Sequence, residues 1–341
     1  MRRRQQQPTT EQLQGQNRHD ASKAKSWRRT RRSPVLRIAV IVSAVLLLII
    51  VYCAVGPSSS SFRKDTSSLR RGGGAERRQR RVVAIGDIHG DKDALIRALQ
   101  LANLVDRNEG GVKWIGGSNI VVQIGDLLNK AEERDKETLA YITDIERKAR
   151  DVGGAVVVTV GDHDLHNAPK LWRDLHSKEA FPSWMHAVYV IDRTLFVHGS
   201  LSKGVFEGAI GGSIESMNRE AEAWLAGTGE KPKWIGRGDG PVWSRLYSDN
   251  ASDEEHPQKY CGELYQLLNE LSVDRMIVGH TVKKDGITSI CNENVWRIDV
   301  GLSQTETRAG KIGASEVLEI SQGGTVVTIL STDIKLKSWK Q

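Results

Sequence analysis

The 341-residue chain predicts an α/β fold of layered sheets and helices, and three observations carry that prediction. Short β-branched runs alternate with amphipathic stretches from Val82 onward. Five of the runs (82–85, 120–124, 155–160, 194–197 and 276–278) are each closed by a turn that bears Asp or His. The basic charge lies outside this region, in an N-terminal arm. Loops leaving the ends of buried strands are where such folds place their chemistry.

Charge divides the chain. Residues 1–81 hold 19 Lys/Arg against 4 Asp/Glu, leaving 30 against 38 of the totals of 49 and 42. The arm is therefore net +15 and the remainder net −8. An acidic folded part argues against nucleic acid as a partner, because phosphate backbones are bound by clustered Lys/Arg.

Within the arm, residues 1–34 read as a basic disordered tail. Residues 38–55 form an 18-residue run whose only polar side chains are Ser43 and Tyr52. Roughly 20 apolar residues span a bilayer, so 35–55 is expected to be a transmembrane anchor. A cleaved signal peptide has a shorter apolar stretch behind a shorter leader than the 37 residues found here. Seven basic residues between Lys23 and Arg37, against three between Gly56 and Arg70, favour a type II topology with the C-terminal domain in the secretory lumen. The Arg- and Gln-rich, acid-poor start leaves a mitochondrial membrane open as an alternative. Residues 56–80, with Ser58–Ser61 and Gly72–Gly74, read as a flexible stem, and 81–341 as the folded domain. Of the three cysteines, Cys53 lies in the apolar run, while Cys261 and Cys291 either pair or remain two buried thiols. Asn250-Ala251-Ser252 is a glycosylation triplet.

In the folded part, 94–104 carries Leu95, Ala98, Leu99 and Ala102 at helical spacing. Residues 132–150 repeat the pattern with Leu139, Ile142, Ile145 and Ala149 until Gly153-Gly154 stops it. Further helices are expected over 215–225 and 260–271, and strands over 295–300, 316–320 and 325–330. No internal repeat is present.

The turns closing the five runs are Gly86-Asp87-Ile88-His89-Gly90, Gly125-Asp126, Gly161-Asp162-His163-Asp164, Val197-His198-Gly199 and Gly279-His280-Thr281. Asp87 and His89 suit one transition-metal ion, and Asp126 can bridge to a second completed by Asp162, His198 and His280. Mixed nitrogen and oxygen donors fit Mn, Fe or Zn better than Ca. Two ions roughly 3.5–4 Å apart clamp a phosphoryl group, and His163 is the obvious acid for the leaving alkoxide. Taken singly, a Gly-Asp after a strand is most often only a turn, and a lone buried His a hydrogen-bonded core residue. His166, His176, His186 and His256 are read that way. The five motifs in this order are not.

Residues 81–320 resemble the calcineurin-type metallophosphoesterases, and specifically the Shewanella-like Ser/Thr protein phosphatases. Gly86–Gly90, 121–128, 153–163, 196–199, 240–247 (GPVWSRLY) and 275–303 carry the likeness. It implies a two-sheet β-sandwich flanked by helices, with two divalent or trivalent transition-metal ions, Mn foremost, at the strand ends. It makes Asp87, His89 and Asp126 ligands of one ion, and Asp126, Asp162, His198 and His280 ligands of the other. His163 becomes the general acid. The implied function is hydrolysis of phosphomonoesters, on a phosphorylated protein, by a hydroxide that two metals activate.

Two motifs depart from the family pattern. Where it reads Gly-Asp-x-x-Asp-Arg-Gly, this chain has Asn129, Lys130 and Ala131 after Gly125-Asp126-Leu127-Leu128. Asn129 can hydrogen-bond His163 but cannot offset an imidazolium charge, and Lys130 brings charge without the bidentate fork of Arg. Arg245 is expected to supply a remaining phosphate clamp. Where the family has Gly-Asn-His-Glu, Asp162 adds a third carboxylate to Asp87 and Asp126, which tightens metal binding and weakens electrophilic activation. These departures keep two alternatives open: a pseudophosphatase that binds phosphorylated partners without turnover, and a nucleoside-polyphosphate hydrolase, since diadenosine-tetraphosphatase-like enzymes carry similar variants. Protease treatment of intact vesicles is expected to leave the C-terminal domain protected; cleavage of that domain without detergent contradicts the predicted topology.

Overall fold

Strand β1 (Val82–Ile85) is apolar at every position and buried on both faces, as a central strand between two layers must be. Helix α1 (Lys92–Leu101) follows, started by Asp91, whose side chain accepts the Ala94 N–H at 2.9 Å. It stops short of the expected Leu104, because Asn103 takes a left-handed φ of 54°. The chain then forms a hairpin, β2 (Val105–Asn108) and β3 (Gly111–Trp114), that the sequence pattern did not announce. β4 (Ile120–Gln123) and β5 (Ala155–Thr159) flank α2 (Glu132–Arg150). After β6 (Met185–His186), β7 (Val188–Ile191) and β8 (Thr194–Val197) come helices α3 (Lys203–Ile210), α4 (Ile214–Leu225) and α5 (Pro257–Glu270). β9 (Arg275–Val278), β10 (Thr288–Ile290), β11 (Val295–Arg297), β12 (Glu316–Ser321) and β13 (Val326–Ser331) complete the order. β11 ends before the expected Val300.

This computed structural model describes residues 80–108, 111–129, 132–165, 170–171, 182–249, 257–303 and 315–332. The expected tail, anchor and most of the stem (1–79) lie outside the described residues, as do Lys130, Asn250, His166, His176 and His256. Among the described residues no helix is long and apolar enough to cross a membrane.

Among the described residues the strands form two mixed sheets besides the hairpin. The first has the order β13-β12-β1-β4-β5-β6, with β1, β4, β5 and β6 parallel. The second has the order β10-β11-β9-β8-β7, with β11, β9 and β8 parallel. Register puts the ligand loops level: Ile85 pairs with Gln123 and Gln123 with Val158 in the first sheet. In the second, Phe196 pairs with Ile277, and Ile277 with Trp296. Each parallel set thus empties its loops at one edge, where open α/β sheets place ligands.

Helices α1 and α2 pack on β12 and β5 of the first sheet, and α4 lies against β6 and β7. Leu195, Val197, Phe206, Met217, Trp234, Leu264, Leu267 and Met276 belong to the apolar core joining α3, α4 and α5 to the second sheet. Polar bonds join the sheets. The buried Arg80 guanidinium reaches Asp192 in the β7–β8 turn at 3.3 Å, and His198 Nδ1–H donates to Ile124 O at 3.0 Å.

Cys261 on α5 and Cys291 after β10 form a disulfide, with Cα atoms 5.4 Å apart. Of the two alternatives the sequence left open, the pair is the one adopted. It closes a loop of 30 residues, for which chain entropy corresponds to about 3–4 kcal/mol of stability. Non-reducing peptide mapping is expected to give one peptide joining Cys261 to Cys291. Cys261→Ser is expected to lower the unfolding midpoint; an unchanged midpoint contradicts the pairing in solution.

Candidate metal centre

Six chain segments deliver polar groups to the common edge of the two sheets. β1, β4 and β5 lead into Asp87/His89, Asp126/Asn129 and Asp162/His163; β8, β9 and β11 lead into His198, His280 and Asp299. Asp87, Asp126 and Asp162 are buried, and so is His198. Three of these loop residues hold a positive φ without being glycine: His89 at 47°, Asp126 at 49° and His280 at 68°. Such backbone is strained and persists where the surrounding structure fixes it, as at functional sites.

One cluster is Asp126, Asp162, His198 and His280, whose donor atoms lie within 4.8 Å of one another. Asp162 Oδ1 sits 3.2 Å from His198 Nε2 and 3.0 Å from His280 Nδ1, and Asp126 Oδ1 3.4 Å from His198 Nε2. Donor atoms bonded to one ion at about 2.0–2.2 Å sit about 3 Å apart, so this set fits a single transition metal. His198 presents Nε2 because its Nδ1–H is committed to Ile124 O. A second cluster joins His89, Asp126 and His163. His89 Nε2 lies 3.9 Å from Asp126 Oδ2 and 4.0 Å from Asp87 Oδ2. Asp126 therefore turns one oxygen toward each cluster. Asp87 also accepts the His280 N–H at 3.2 Å, which ties the two groups together.

The electrostatics match a cation-binding pocket. Burial, reinforced by the charges of Asp299 and Asp126, pushes the Asp87 carboxyl well above its ordinary range. Burial works the same way on Asp162, but hydrogen bonds and charge from His198 and His280 outweigh it and hold that carboxyl low. Burial disfavours the His198 imidazolium, yet the carboxylates of Asp126 and Asp87 raise its pKa well above the usual histidine value. His198 thus sits among carboxylates that favour positive charge in their midst, as a cation site requires.

His163 is partly exposed at the rim, with Nδ1–H donating to Asn129 Oδ1 at 3.2 Å and Nε2 4.0 Å from Asp162 Oδ2. Its ring meets His89 edge-on, with centroids 4.8 Å apart. Arg245 is exposed, and its Nη1 donates to His280 O at 3.0 Å and Thr281 Oγ1 at 2.7 Å, so it braces the His280 loop. His186, on β6, stacks with Tyr189 and belongs to neither cluster.

Three further residues organise the site without having been singled out from the sequence. Gln123, buried, donates to Gly125 O at 2.6 Å and Gly86 O at 3.2 Å while accepting the Gly125 N–H at 3.1 Å. Asp164 accepts N–H groups from Gly161 and Leu128, both at 2.9 Å, and so staples the third ligand loop to the second. Burial, with the Asp126 charge, pushes the Asp164 carboxyl up to about 7. Asp299 is buried beside Asp87 and adds to its electrostatic load. Its signal was legible, since Ile298-Asp299-Val300-Gly301 closes a β-branched run as the five turns do. The loops also approach closely: a Cβ added at Gly161 would run into Asp126 Oδ1 and backbone N, so glycine is required there.

Comparison with known proteins agrees with this geometry. The family model of the calcineurin-like phosphoesterases matches residues 80–284. Shewanella-like protein phosphatase 2 of Arabidopsis thaliana is 27% identical, over 74% of this chain and 78% of its own length. Shewanella-like protein phosphatase 1 of Plasmodium berghei is 24% identical, over 65% of this chain and 67% of its own. The crystal structure of a cold-active protein-tyrosine phosphatase from a psychrophilic Shewanella shares the fold, with a TM-score of 0.54 at 21% identity, over 74% of this chain and 80% of that one. With the strand order, the ligand loops and the family match in agreement, this chain belongs to the calcineurin-like phosphoesterases and is a metallophosphatase.

Proposed function

We propose that the protein is a membrane-anchored, metal-dependent protein phosphatase that hydrolyses phosphoserine or phosphothreonine esters. The observation that carries this reading is the division of the Asp126 carboxylate between the His89 and His198 sides of one pocket. Asp87, His89 and Asp126 would hold one ion, and Asp126, Asp162, His198 and His280 the other. When bound, the pair of ions would polarise the phosphoryl group and make a water acidic enough to attack at neutral pH.

The remaining work falls to side chains. His163 gives its Nε2 proton to the departing alkoxide, while Asn129 keeps the opposite ring nitrogen engaged. Asp164 and Gln123 hold the ligand loops rigid, so little reorganisation accompanies the reaction. Lys130 and Arg245 are assigned to the phosphate oxygens. For Arg245 this joins a bracing role, since its Nη1 already serves the His280 loop. The phosphoprotein substrate is favoured by the name of the Arabidopsis relative and by the acidic folded part, which suits RNA poorly.

The lumenal placement has three supports. They are the apolar run at 35–55, the glycosylation triplet at Asn250, and the Cys261–Cys291 disulfide, which persists in oxidising compartments.

The purified protein is expected to release phosphate from p-nitrophenyl phosphate and a phosphoserine peptide with Mn, Fe or Zn. Asp126→Asn, which disturbs both clusters, is expected to lower kcat by about 10³-fold or more. Absence of turnover with all three metals, despite phosphate binding, contradicts the phosphatase reading and favours a binding module. Faster turnover of diadenosine tetraphosphate than of the peptide points instead to a nucleotide hydrolase.

A further inference from the structure

Asp135 lies in the first helical turns of α2, and its side chain is wholly buried. Its Oδ1 accepts the Asn129 N–H at 2.7 Å. A Cβ added at Gly90 would run into that same oxygen, so the carboxyl is wedged between the loop after His89 and the loop after Asp126. Thr138, three residues on, pins the first of these loops by donating its hydroxyl to Gly90 O at 2.9 Å. Among the described residues, Asp135 Oδ2 receives no hydrogen bond. Burial pushes the Asp135 carboxyl up to about 6, opposed by the Asn129 N–H and by the charge of His163.

A plainer account exists: acidic side chains near a helix start often reach back to an orphan N–H. That explains the Oδ1 contact. It does not explain why a carboxyl should be enclosed completely when an exposed one would cap equally well. Nor does it explain the choice of N–H, which belongs to the residue that grips His163. Asn129 is thus held at its backbone by Asp135 and holds the imidazole with its side chain.

We propose that Asp135 is a positioning residue for proton delivery, fixing Asn129 and through it aiming the His163 ring at the leaving-group oxygen. The proposal rests on the phosphoesterase reading of the site. In the step concerned, the oxygen of a water forms a bond to phosphorus while the ester P–O bond breaks. The departing oxygen takes the His163 Nε2 proton, and the proton lost by the water passes to solvent. His163 is left neutral, with its Nδ1–H on Asn129. A well-aimed acid matters most for a basic leaving group, because an acidic phenol departs readily without a proton.

The test uses the purified full-length chain with p-nitrophenyl phosphate and phenyl phosphate, which differ in leaving-group basicity. Asp135→Ala is expected to slow phenyl phosphate by about tenfold or more while changing p-nitrophenyl phosphate less than about threefold. Asp135→Asn keeps an acceptor for the Asn129 N–H and is expected to restore phenyl phosphate turnover to within about threefold of the parent. Asn129→Ala is expected to show the same selectivity, and the double variant to lose no more than Asn129→Ala alone. If Asp135→Ala fails to fold, Asp135→Ser, whose hydroxyl is placed differently from the Asn129 N–H, is read by the same ratio. Equal losses on both substrates, failure of Asp135→Asn to rescue, or additive losses in the double variant overturn the proposal while the phosphoesterase reading stands. A parent protein that turns over neither ester overturns both.

Discussion

Buried negative charge is the constraint around which this fold is organised. Asp87, Asp126 and Asp162 are drawn to one edge of two sheets, and Asp299 adds a fourth carboxyl behind Asp87. Removing such groups from water is costly unless opposite charge meets them. His89, His198 and His280 answer part of that need, and the spacing of their nitrogens from the carboxylate oxygens leaves room for cations to answer the rest. Burial raises the Asp87 pKa and the carboxylates of Asp126 and Asp87 raise that of His198, so both shifts mark a pocket that favours added positive charge.

The scaffold keeps that arrangement by making its loops rigid and close. Parallel strands with matched register bring the loops out level, so the first ligands past Ile85, Gln123 and Val158 stand side by side. Gln123 and Asp164 then fasten neighbouring loops through backbone groups. The positive φ values at His89, Asp126 and His280 show where the chain accepts strain to aim a ligand. The bond from His198 to Ile124 O carries the coupling across from the second sheet to the first.

Much of this was readable in the residues, for a physical reason. A ligand loop must follow a strand buried on both faces, so a β-branched run closed by Gly with Asp or His marks both at once. Asp87, His89, Asp126, Asp162, His163, His198 and His280 all follow that rule. Residues that act on the backbone groups of the ligand loops escaped it. Asp135 reaches the Asn129 N–H six residues back, a contact that no spacing rule marks, and Gln123 reads simply as the end of a strand. The β2–β3 hairpin was hidden because Val105–Trp114 has no sustained alternation. The disulfide depended on α5 docking near the β10–β11 turn, which spacing alone does not encode. The departures at Asn129 and Asp162 were legible as letters, but their consequence needed geometry: Asn129 does reach His163, and Asp162 lies where two imidazoles compensate it.

The central claim is tested most directly by metal analysis of the purified full-length protein, combined with anomalous scattering from its crystals. Two transition-metal ions per chain are expected, roughly 3.5–4 Å apart with the Asp126 carboxylate between them. A single ion, or two ions with Asp126 bound to neither, would contradict the account.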